Sequence, residues 1–107
     1  MPNTTTTEYV LRIGPEDRYR HTHKRLGRHI VSFRVQYETL LHGEWRCVAR
    51  YDTAHGFAHR DLMGYNGAVE KTPLFNQDVN EALTFAEDDL KTNWVIYKRR
   101  FLEGAHE

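Results

Sequence analysis

From Ile30 to Tyr51 the chain alternates apolar and polar residues at period two, and no other feature restricts its fold as tightly. Val31, Phe33, Val35, Tyr37 and Leu41 alternate with Ser32, Arg34, Gln36 and Glu38, the mark of a strand buried on one face only. After His42-Gly43-Glu44, Trp45, Cys47, Ala49 and Tyr51 alternate with Arg46, Val48 and Arg50 in the same way. The two runs read as an antiparallel hairpin. A two-residue loop would set Val35 opposite Arg50 and turn the polar residues of the second strand inward. A three-residue loop sets Leu41 opposite Trp45, Thr39 opposite Cys47, Tyr37 opposite Ala49 and Val35 opposite Tyr51. Because a one-residue slip turns a whole strand over, the three-residue loop is expected.

Phe57 to Tyr65 and Ala68 to Leu74 flank Asn66-Gly67, a strong two-residue turn signal, and predict a second hairpin whose last strand ends at Pro73. Tyr9 to Ile13, closed by Gly14-Pro15, is a further short strand candidate. Asp78 can cap a helix with Glu81 at its third position, and Val79, Ala82, Leu83, Ala86, Leu90, Trp94, Tyr97 and Phe101 then form one stripe at spacings of three and four. Glu87 and Lys91 are placed for an i,i+4 pair, and Gly104 can end the helix. The expected fold is α+β: an antiparallel β-meander of four to five strands packed on one long C-terminal amphipathic helix over residues 78–103. One domain of 107 residues is expected, with residues 1–8 a loose tail and 30–74 the two hairpins.

Residues 18–29 hold Arg18, Arg20, Lys24, Arg25 and Arg28 among three histidines, without an acidic residue, and read as a basic surface arm suited to a phosphate backbone. Phe85, Val95, Ile96 and Leu102 fall off the main helical stripe. They suggest a second contact surface such as a homodimer interface, or a wide stripe covering a broad sheet. Net charge is zero, but residues 1–50 carry nine basic against five acidic groups and residues 51–107 six against ten, a +4/−4 split that suits association. The single cysteine, Cys47, excludes an internal disulfide and reads as a small core residue. No apolar run approaches the roughly 18–20 residues needed to cross a bilayer, and the threonine-rich start is not a signal peptide, so a cytoplasmic protein with no membrane contact is expected.

The segment Arg50 to Asp61 concentrates candidate chemistry. If His55 to Asp61 is extended, His55, His59 and Asp61 share a face. An imidazole beside Asp52 or Asp61 can act as general acid or base near neutral pH, and Arg50 or Arg60 can clamp a phosphate, a combination suited to RNA cleavage without a metal. Three other readings stay open: a metal held by His55, His59 and an aspartate, non-catalytic RNA contact, or aspartates that merely pair with Arg50 and Arg60. No cofactor is expected.

Arg50-Tyr51-Asp52, His55-Gly56 and His59-Arg60, set between a β-hairpin and a C-terminal helix, resemble the TumE-like small proteins of prokaryotic toxin–antitoxin loci over residues 30–65. The resemblance implies a toxin-side component acting on RNA or translation, partnered by a cognate antitoxin. The alternative is a non-enzymatic module or accessory subunit of a larger nucleoprotein or defence complex.

Overall fold

In a computed structural model of the chain, which describes residues 3–54, 56–74 and 78–106, the alternating segment becomes two neighbouring strands of a six-stranded antiparallel sheet. The strands are β1 (Thr5–Gly14), β2 (Asp17–Leu26), β3 (His29–Leu41), β4 (Glu44–Asp52), β5 (His59–Met63) and β6 (Val69–Pro73), paired in chain order. One helix, α1 (Val79–Glu103), lies across β3 and β4, and a short 3₁₀ turn follows at Gly104–His106. The α+β class and the long terminal helix are as expected, with one or two strands more than the sequence suggested.

Two segments read as irregular are strand. Residues 5–8 are not tail but the start of β1, held against Thr22 to Arg25. The supposed basic arm is β2, an inner strand with Asp17, Tyr19 and His21 all at most 2% exposed. Its period-two pattern was hidden because the inward residues are polar or ambivalent. Burial of such groups is tolerable only with partners. Tyr37 Oη donates to Asp17 Oδ1 at 2.6 Å, Thr39 Oγ1 at 3.0 Å, and Lys98 Nζ reaches the same carboxylate at 3.2 Å.

The β3–β4 turn is one residue shorter than expected. Leu41 pairs with Glu44, so the loop is His42-Gly43, both at positive φ (52° and 79°), a mirror-image turn that follows the strand twist. Leu40 therefore faces Trp45, and Glu38 faces Cys47. A bulge opposite Tyr37 and Glu38 then adds one residue on β4, Val48, and restores Tyr37 against Ala49 and Val35 against Tyr51. Face matching held where the helix packs; near the turn it did not, because a bulge can absorb the odd residue as well as a loop can. The β5–β6 turn departs the other way: instead of the expected two residues it spans three, Tyr65-Asn66-Gly67, with Gly64 N–H donating to Ala68 O at 2.7 Å and Gly67 at φ 93°.

α1 starts where expected: Asp78 Oδ1 accepts from Glu81 N at 2.8 Å. Ala82, Leu83, Ala86, Leu90 and Phe101 are buried against Phe33, Val35, Tyr37, Ala49 and Tyr51, and full burial of a side chain like Leu90 stabilises by about 2 kcal/mol. Asp89 accepts from Tyr51 Oη at 2.7 Å and Tyr97 Oη at 2.5 Å, a second polar tie between helix and sheet. Trp94 reaches Tyr37, and a Cβ at Gly14 would lie 2.9 Å from the Trp94 ring and 2.8 Å from Asp17 Oδ2, so that crossing needs glycine. Phe85, Val95 and Ile96 stay 40%, 48% and 61% exposed, so a wide stripe does not account for them, whereas Leu102 packs at the core's edge. Glu87 and Lys91 do not pair with each other as expected; Glu87 faces His21 and Lys91 lies over the Tyr19 ring at 4.8 Å.

His21 stacks on Tyr9 and meets Tyr19 Oη at 2.7 Å, His23 Nδ1 at 2.6 Å and Glu87 Oε1 at 3.2 Å. Burial, then the neighbouring His23 and Lys91, pushes its pKa down to about 4. A histidine whose pKa is lower when folded binds more protons unfolded, so stability is full above the unfolded pKa of about 6.5 and falls as pH drops towards 4. The loss is at most about 3 kcal/mol. Thermal melts between pH 7 and 4 should show the midpoint falling across that window, and His21→Asn should flatten the slope. An unchanged slope in the variant would assign the effect to other groups.

Candidate functional site

The helix covers one face of the sheet; the other face carries most of the strands' charge. Register places Arg12 opposite Arg18, Arg18 opposite Glu38, Gln36 opposite Arg50, Arg34 opposite Asp52, Asp52 opposite His59, Arg50 opposite Asp61, and Asp61 opposite Lys71. Directly opposed residues share a face, so all of these project together, with Glu8, Arg20, Lys24 and Trp45. Among the described strand residues this face holds seven basic side chains (Arg12, Arg18, Arg20, Lys24, Arg34, Arg50, Lys71) against four acidic ones (Glu8, Glu38, Asp52, Asp61), a net of +3.

Three of the four acids lie low on the sheet and are shared between cations. Glu38 is paired by Arg18 and by Arg20 at 3.4 Å. Asp52 is reached by Arg34 at 3.3 Å, Arg50 at 3.4 Å and His59 Nε2 at 2.9 Å. Asp61 is paired by Arg50 at 2.8 Å and Lys71 at 3.1 Å. Burial alone would raise the Asp61 carboxyl, but Arg50, Lys71 and His59 outweigh it and hold its pKa below the usual range. Glu38, Asp52 and Asp61 are at most 7% exposed, whereas the side chains of Arg20, Arg34 and Lys71 remain about half exposed (47%, 55% and 48%). Buried carboxylates thus hold two guanidinium groups and an ammonium whose outer sides stay available, an arrangement suited to a polyanion. Trp45 adds an aromatic ring with Arg18 over it at 4.0 Å and Arg12 at 5.6 Å.

At the end of this face a cleft of about 340 Å³ is lined by Thr22, Lys24, Arg34, Asp52 and Thr53, among others. Asp52, which lines the cleft, meets His59, a second expected catalytic residue, and Asp61 lies beside them on the same face. His59 is 1% exposed, so its imidazole is not displayed on the surface as an acid or base acting on RNA would need. His55 lies outside the described residues. Arg50 is on the face, but Arg60 points the opposite way, beside the Tyr51 and Tyr97 hydroxyls, and cannot clamp a phosphate with it. Of the expected anion contacts, Arg18, Arg20 and Lys24 are on the face; Arg25 pairs beyond a bulge and Arg28 sits in the β2–β3 turn. Arg12, Arg34, Lys71 and Trp45 were not singled out from sequence. Their signal was parity across strands, legible only once the register is known.

Asp52, His59 and Asp61 offer ligand atoms within 4.8 Å of one another, the spacing of a metal site. The donor set does not fit one: both carboxylates already serve Arg50, with Arg34 and Lys71 at their outer sides, and a dication would have to enter among those charges. Cys47 sits on the same face rather than in the core, and burial pushes its thiol up to about 11, so it is not a reactive thiolate. Among the described residues no helix is long and apolar enough to cross a membrane.

The chain belongs to the family described as Domain of unknown function (DUF7718), whose match spans residues 2–107. No curated protein and no solved structure matches it.

Proposed function

We propose that this protein is a cytoplasmic RNA-binding module that holds the phosphate backbone on the uncovered sheet face. The observation that carries the reading is the row of Arg20, Arg34 and Lys71, half exposed and oriented by buried Glu38, Asp52 and Asp61. Fixed cations on a rigid sheet neutralise phosphates with little ordering cost. A contact role is favoured over cleavage because His59 is enclosed among its partners.

Fluorescence anisotropy with a short single-stranded RNA tests this. Arg20→Glu/Arg34→Glu/Lys71→Glu should weaken binding by about 100-fold or more at low salt, and the neutral triple alanine variant should reduce the salt slope by about 2, near 0.7 per lost phosphate contact. The wild type failing to bind at low salt, or the charge-reversed variant binding equally well, would falsify the proposal. A toxin role, implied by the Arg50-Tyr51-Asp52 resemblance, goes further. It requires that expression arrest bacterial growth and that the same triple variant relieve the arrest; growth unaffected by the wild type removes that part alone.

A further inference from the structure

The two edges of the sheet differ in kind. β6 is five residues long, ends in Pro73, which has no N–H to offer, and bears Glu70 and Lys71. Short, charged, proline-ended edges resist further pairing. β1 is ten residues long, has no proline, and exposes Tyr9, Val10 and Leu11 at 39%, 52% and 44%. Its outer backbone groups face no neighbouring strand, the usual template for strand addition.

The β1 sequence, Thr-Thr-Thr-Glu-Tyr-Val-Leu-Arg-Ile-Gly, is self-complementary in antiparallel register about Val10. Centred there, Val10 meets Val10 of a second copy, Tyr9 meets Leu11, and Glu8 meets Arg12 on both sides of the axis. The charge pairs and the valines lie on the cationic face, and the Tyr9–Leu11 pairs lie on the helix face. Among the described residues Glu8 has no ion pair, and the Arg12 guanidinium is tied only to the Gly14 and Pro15 carbonyls and the Trp45 ring. A register displaced by two residues would lose both charge pairs.

We propose that a second copy of this chain pairs with β1 edge to edge, in antiparallel register about Val10, giving one continuous twelve-stranded sheet. The two-fold axis runs perpendicular to the sheet, so both helices fall on one side and both cationic faces on the other.

Sedimentation velocity of the full chain, across a range of concentrations, tests it by charge exchange. Glu8→Arg turns two attractive pairs into two repulsive ones and should weaken dimerisation by about tenfold or more. Arg12→Glu should do the same, and Glu8→Arg/Arg12→Glu together should restore the dimer, with circular dichroism melts showing each variant folded. A wild type that stays monomeric at high concentration overturns the proposal. So does a dimer indifferent to Glu8→Arg, or one that the double exchange fails to restore. Loss of the dimer on Ile96→Asp with Glu8→Arg harmless would move the contact to the helix and equally refute β1 pairing.

Discussion

Replacing Asp17 by alanine will cost about 3–5 kcal/mol of folding stability, a large share of the roughly 5–15 kcal/mol a domain of this kind possesses. The carboxylate is 1% exposed and accepts from Tyr37 Oη and Thr39 Oγ1 while pairing with Lys98. Without it, two buried hydroxyls lose their acceptor and the ammonium group of α1 loses its counter-charge, and each orphaned group adds a desolvation penalty. Removing the satellites should cost far less. Tyr37→Phe deletes one hydrogen bond, about 1 kcal/mol, and Lys98→Met removes a cation whose side chain is already 25% exposed. Urea denaturation of the three variants gives the order directly. Asp17→Ala within 1 kcal/mol of wild type would mean that the helix is held to β2 and β3 by its apolar stripe alone.

Asp61→Ala should move two readouts in opposite directions. Stability falls by about 2–4 kcal/mol, because Arg50 and Lys71 lose their shared carboxylate beside a buried imidazole. The partly exposed Lys71 supplies the smaller part of that cost, since solvent screens it. RNA affinity, measured where the variant is still folded, should rise several-fold, since the face loses a negative charge and two cations are released towards the ligand. Affinity falling in step with stability would place the RNA contact elsewhere.

The helix was the most legible element. Its cap, its stripe and its end follow from local spacing, and each residue's neighbours are in the same segment. The β3–β4 pair was legible in its faces but not in its turn, because the bulge at Val48 depends on packing that no local pattern carries. β2 was illegible for a different reason. Its buried residues are Asp17, Tyr19 and His21, and only partners along β2 and on β1, β3 and α1 make them acceptable inside. The site suffered the same limit. Sequence nominated a contiguous segment, Arg50 to Asp61, and found Asp52, His59 and Asp61, which do meet. Successive residues on a strand point to opposite faces, however, so Arg60 was lost from the site, while Arg12, Arg34 and Lys71 join it from three other strands.

The strand order has a kinetic consequence. Each strand pairs with the next in the chain, so the sheet can grow by one short loop closure at a time, with little entropy spent before contacts are made. Only α1 must travel, docking on β3 and β4 from the end of the chain. Folding should therefore be fast for a β-rich protein, and its slowest common event should be the arrival of the helix on a sheet already zipped.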